Sequence, residues 1–287
     1  MASRQAVPDR PRAAPSTARK RGRSDSPRSA PVETRSPEPS SYWALSNRPL
    51  HILAFLLPLL IAYELGSAIY LVSASDGTHR TIQAQRLLGQ FFELFGAAGL
   101  FLPGIALLTV LLVWHVLLRD RWRIELPVLG GMFVESAGWT FPLLVLAAAH
   151  SRATAGMVVP AAAGQGVETL LSMPWQARLM ISLGAGLYEE MLFRLLLIAF
   201  LHLIIADLAQ VNKKLASVLC IVGSALAFAL YHDTTLASGA GTDWGKLLFF
   251  TASGVYLGSV YVLRGFGIVV GAHALYDTLV LVFLPGR

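Results

Sequence analysis

Seven stretches of this chain are apolar over about the length that crosses a bilayer, and no other feature limits its fold as strongly. A transmembrane helix needs about 20 mostly apolar residues. Such stretches run over 50–73, 98–118, 126–149, 176–205, 215–231, 247–263 and 268–284. Only 14% of the 287 residues are charged, against about 25% in soluble domains. The expected fold is therefore all-α, a polytopic transmembrane helical bundle. Residues 84–97 (QAQRLLGQFFELFG) are amphipathic and are expected at the interface. If they cross, with a break at Gly96 or Pro103, the count becomes eight and every later span inverts.

The charge is unevenly placed. Residues 1–48 carry ten Lys/Arg against four Asp/Glu, whereas the remaining residues carry thirteen of each. The formal net charge of +6 thus belongs to the tail. A DNA-binding body would spread positive charge over a folded face, so no nucleic-acid partner is expected. The tail has seven prolines and almost no large apolar side chains. It cannot bury enough surface to offset its ordering entropy, so residues 1–48 are read as a disordered cytoplasmic tail and 49–287 as the transmembrane domain. A secretory signal would place its apolar stretch at once after a short basic start, which is not the pattern here. The cluster Arg19, Lys20, Arg21 and Arg23 is read as positive-inside flanking charge rather than a nucleic-acid patch. With the tail inside, Arg119–Arg123, Lys213–Lys214 and Arg264 all fall on the cytoplasmic side of a seven-span arrangement. One cysteine, Cys220, rules out an intrachain disulfide and a cysteine-based zinc site.

Ionisable groups inside spans are costly and mark function more often than not. Three constellations stand out. Glu189-Glu190-Met191-Leu192-Phe193-Arg194 lies midway along the fourth span, where Glu190 and Arg194 share a helix face at i,i+4. One glutamate is expected to pair with Arg194 and the other to serve as a general base. Phe228-Ala229-Leu230-Tyr231-His232 ends the fifth span. His273-Ala274-Leu275-Tyr276-Asp277 lies in the seventh, with His273 and Asp277 again at i,i+4. Any single pair could be helix glue. Together they make a hydrolytic set without a nucleophilic Ser or Cys. Glu64, Glu93, Glu135 and His115 also lie in or near spans but have no obvious partner at i±3 or i±4. They are read as facing the bundle interior or the interface.

The ordered set EExxxR, FxxxH and HxxxN/D on successive helices resembles the CAAX protease and bacteriocin-processing family (CPBP, or Abi), which includes the Ras-converting type of CAAX prenyl protease. The resemblance covers about residues 174–285. It implies an intramembrane glutamic endopeptidase acting on a membrane-proximal, C-terminally anchored or lipid-modified protein. It assigns Glu189 as the base that activates water, Glu190 and Arg194 as its positioning pair, His232 as a second group on that water, and His273 as oxyanion stabiliser. Asp277 stands where the family's CAAX proteases usually carry Asn. An ionised Asp only accepts hydrogen bonds, so Asp277 is expected to orient His273 as the donor. Two His and one Glu also resemble an open zinc site. No HExxH occurs, however, and the three candidate ligands fall on three helices. A metal-independent site without a cofactor is therefore favoured, with zinc as the alternative.

Two other readings compete: a non-catalytic membrane-partner-binding or immunity protein of the same fold, and a proton-coupled transporter. The intact motif set disfavours the first. The second predicts polar sites in two repeat halves, and one cluster is seen. Family breadth and an excess of arginine suggest a bacterial inner membrane. In the seven-span arrangement the site opens outward; with eight spans it opens to the cytoplasm.

Overall fold

The computed structural model describes residues 41–72, 82–154, 167–236 and 241–284. Regular structure among them is helical: α1 (Tyr42–Leu45), α2 (Pro49–Tyr70), α3 (Gln83–Glu93), α4 (Leu102–Leu118), α5 (Leu126–Thr154), α6 (Val167–Ser172), α7 (Trp175–Leu208), α8 (Lys213–Tyr231), α9 (Trp244–Arg264) and α10 (Phe266–Phe283). Six of these, α2, α5, α7, α8, α9 and α10, are long and apolar enough to cross a membrane. The 17-residue α4 is a shorter apolar helix. The chain is an integral, multi-pass membrane protein.

Local chemistry sets the boundaries. Pro49 opens α2 and Pro103 lies in the first turn of α4, where a missing N–H costs nothing. Asn212 and Asp243 cap α8 and α9, accepting from the amides of Lys214 and Lys246, each at 3.0 Å. Gly265 alone separates α9 from α10, and its φ of +84° is open to glycine at no steric cost. The eleven residues of α3 rise only about 16 Å, too little to cross. The chain breaks after it at Gly96, which has a positive φ. The interfacial alternative for 84–97 therefore describes α3. The second apolar run starts its helix at Leu102 rather than at residue 98. The stretch 150–172, between the third and fourth apolar runs, is helical to Thr154 and again from Val167, and its middle lies outside the described residues.

Polar contacts show which helix ends meet. Arg48 before α2 pairs with Asp120 after α4 at 2.5 Å. The Glu125 amide before α5 donates to His51 Nε2 at 3.3 Å. Arg264 at the end of α9 grips Glu135 of α5, with Nη2 to Oε2 at 2.7 Å, and donates to Ser46 Oγ. These residues gather at one end of the bundle, which is also its basic end. Tyr42 donates to Glu135 there at 2.5 Å, and Arg264 lies 3.9 Å over the Trp43 ring. Burial and the Glu135 carboxylate push the Tyr42 phenol above its ordinary pKa. Residues 41–48 are thus built into the bundle rather than part of the tail, because Tyr42 and Trp43 supply apolar surface that the rest of the tail lacks. The expected disorder of residues 1–40 lies outside the described residues.

The core helix is α10. From Phe266 to Asp277 every residue but Leu275 is buried, as expected of a helix apolar on all sides. Ser136 and Thr140 of α5 donate to its carbonyls at Ile268 and Ala272. Outer faces carry exposed Leu57, Ile61 and Leu65 on α2 and Phe133, Val134 and Phe141 on α5, a surface suited to lipid chains. Gly254 and Gly258 pack inside the chain against Ala225 and Ile221 of α8. Their GxxxG spacing serves a close helix approach within the monomer.

Candidate active site

The site depends on a near-contact of backbones. A Cβ on Gly186 of α7 would lie 2.8 Å from the Ala274 nitrogen of α10, so the two helices touch there. Around it, Ala185–Glu189 and Met191–Leu197 are π-helical. Such i→i+5 turns are rare and recur at functional sites. Together these features bring Glu189 and Glu190 against His273.

The six residues singled out in the sequence come together, and all are at most 3% exposed. The two glutamates divide cleanly. Glu190 Oε2 meets Arg194 Nε at 3.1 Å, and its Oε1 meets His273 Nδ1 at 2.6 Å. Arg194 also reaches the Gly254 carbonyl at 3.4 Å and lies 4.4 Å over the Phe228 ring. Glu189 makes looser contacts. Its Oε1 accepts from the Tyr231 hydroxyl at 3.3 Å. Its Oε2 lies 3.8 Å from His232 Nε2 and 4.0 Å from His273 Nε2. These last distances exceed a hydrogen bond and suit a small polar atom bound between the groups.

The rings are fixed from behind. His232 Nδ1 lies 2.7 Å from the Phe228 carbonyl. A carbonyl only accepts, so Nδ1 carries the proton, and a neutral ring presents its Nε2 lone pair to Glu189. The ring also stacks on Phe250, with centroids 4.1 Å apart. His273 is held on both sides, by Glu190 at Nδ1 and by Asp277 Oδ2, 3.5 Å from Nε2. The short contact is to Glu190, so Glu190 orients the ring more tightly than the expected Asp277.

Several participants were not legible in the sequence. The Glu190–His273 contact spans 83 residues, and Phe250 belongs to no motif. Tyr231 lies beside His232 in the sequence, but its bond to Glu189 spans 42 residues. Glu64 accepts from the hydroxyl of Tyr188, the residue before Glu189, and Glu135 has a partner at i+4, Trp139, at 3.1 Å. The Glu135 contact lies at a spacing where no partner is expected, whereas Glu64 meets Tyr188 across 124 residues. His115 is buried and packs edge-on against Trp122.

Residues 171–279 match the family model for the Rce1-like type II CAAX prenyl endopeptidases. No curated protein and no solved structure gives a significant match. The matched segment contains α7 to α9 and most of α10, with all six residues of the cluster. Over residues 171–279 the chain is thus similar to the Rce1-like proteins, consistent with the CAAX protease family.

Proposed function

We propose that this chain is an intramembrane endopeptidase. It hydrolyses a peptide bond in a membrane-proximal, C-terminally anchored or lipid-modified protein by direct attack of water. The observation that carries this reading is the convergence of Glu189 Oε2, His232 Nε2 and His273 Nε2 at 3.8–4.0 Å. A water held there is within reach of a carboxylate base and an imidazole lone pair. Glu189 takes one water proton as the oxygen attacks the scissile carbonyl, and His232 orients that water. The carbonyl oxygen becomes an oxyanion, to which His273 donates from Nε2. Glu189 then passes its proton to the leaving amine as the C–N bond breaks. Glu190 holds His273, Arg194 balances the Glu190 charge, and Asp277 steadies the His273 ring.

The reading is metal-independent. It is supported by the lack of an HExxH motif in the sequence. His232 follows the last residue of α8, at the end of the bundle away from Arg264. If the basic end is cytoplasmic, the site opens to the outside, in a bacterial inner membrane by our reading. The test is cleavage of a quenched farnesylated peptide by the purified full chain in liposomes. Glu189→Ala and His232→Ala should each reduce the rate about 10²-fold or more. Cleavage unchanged in both variants would refute the proposal.

A further inference from the structure

We infer that Glu64 of α2, through the hydroxyl of Tyr188, is a positioning residue for Glu189; this rests on the proposed role of Glu189. Tyr188 directly precedes Glu189, and both lie in the π-helical turn Ala185–Glu189. The Tyr188 side chain is fully buried and reaches α2, where its hydroxyl donates to Glu64 Oε1. Gly104 of α4 leaves the space for this bond. A Cβ there would lie 2.6 Å from Glu64 Oε1 and 3.1 Å from the Tyr188 oxygen. Tyr63 meets the Tyr188 ring edge-on with centroids 5.2 Å apart. The Tyr63 hydroxyl is bonded to Gln85 of α3, whose amide donates to the Leu100 carbonyl at 3.2 Å. Tyr188 is thus fixed from α2, α3 and α4 together.

Among the described residues, the one hydrogen bond to the Glu189 side chain is the 3.3 Å bond from Tyr231. A π-helical turn carries one more residue per hydrogen-bonded ring than an α-helix. Relaxation to i→i+4 would rotate Glu189 away from the two Nε2 atoms. The anchored neighbour opposes that rotation, so Glu64 and Tyr188 set the angle at which Glu189 faces the water. Neither touches the reacting atoms. A misplacement of about 1 Å at a reacting group costs about 10²-fold in rate, and a partial rotation costs less.

The test uses the full chain in liposomes and the quenched farnesylated peptide. Tyr188→Phe, Glu64→Ala and Gly104→Ala should each lower kcat about tenfold, with KM within about twofold. Glu64→Gln keeps an oxygen for the Tyr188 hydroxyl and should recover most of kcat. The Tyr188→Phe/Glu64→Ala double variant should be no slower than the slower single one. Gly104→Ala removes no hydrogen-bonding group, so it carries the prediction even if Tyr188→Phe does not fold. A rise in KM at constant kcat, additive losses in the double variant, or Glu64→Gln as slow as Glu64→Ala would overturn the assignment. Activity surviving Glu189→Ala would overturn both the proposed function and this inference. An inactive Glu189→Ala beside a fully active Gly104→Ala and Tyr188→Phe would overturn the inference alone.

Discussion

Two adjacent glutamates with different surroundings should respond oppositely to the same substitution. Glu190→Gln replaces a carboxylate that forms an ion pair with Arg194, Nε at 3.1 Å, and meets His273 Nδ1 at 2.6 Å. An amide has one acceptor oxygen, so one partner faces an NH2 group and the Arg194 charge loses its counter-ion. Arg194 is 0% exposed, with the Gly254 carbonyl and the Phe228 face as its other neighbours. Removing one partner of a buried ion pair costs about 3–5 kcal/mol. At about 2–4 °C per kcal/mol for a chain of this size, the apparent melting temperature should fall by about 6–20 °C. Glu189→Gln keeps the oxygen that accepts from Tyr231 and removes no other short contact. It should cost about 1 kcal/mol or less, a shift of about 4 °C at most. Its peptide-cleavage rate should nevertheless fall about 10²–10⁴-fold. Intrinsic tryptophan fluorescence during heating in detergent, beside the liposome cleavage assay, measures both. A Glu190→Gln variant as stable as wild type, or a Glu189→Gln variant as unstable as Glu190→Gln, would refute the division into a structural and a chemical carboxylate.

Three further outcomes follow from the same geometry. Gly186→Val must push α7 from the Ala274 backbone, which a Cβ would approach to 2.8 Å; cleavage should drop at least about tenfold and stability by about 1–3 kcal/mol, whereas wild-type behaviour would contradict the close approach. The one native cysteine, Cys220, is buried, which leaves a clean background for single-cysteine labelling. Thr234→Cys should react with an impermeant maleimide on intact cells and Arg123→Cys only after permeabilisation; the reverse pattern would turn the site to the cytoplasm. Incubation with 1,10-phenanthroline followed by desalting should leave the cleavage rate unchanged, and a loss restored by zinc would refute the metal-independent mechanism.

The spans were legible because each is a long apolar run, and the six site residues because charge is rare inside such runs. The remainder depends on three-dimensional packing. Glu190 pairs with Arg194 at the i,i+4 spacing visible in the sequence, but the rotation within the π-helical turns that brings Glu189 toward both histidines leaves no trace in a 3.6-residue pattern. Glu64 meets Tyr188 across 124 residues, so no local spacing could report it. Phe250 is one apolar residue among many in its helix, and only its stacking on His232 distinguishes it. Tyr42 and Trp43 did break the polar composition of the tail. Their partners, Glu135 and Arg264, are far along the chain.

The central claim is that Glu189 activates water to cut a membrane-anchored protein. Its most direct test compares peptide termini, by quantitative proteomics, in membranes from cells carrying wild-type protein or Glu189→Ala at equal abundance. The account predicts that one or a few membrane-anchored proteins lose a defined new terminus in the variant. An identical set of termini in both, with His232→Ala equally silent, would contradict it.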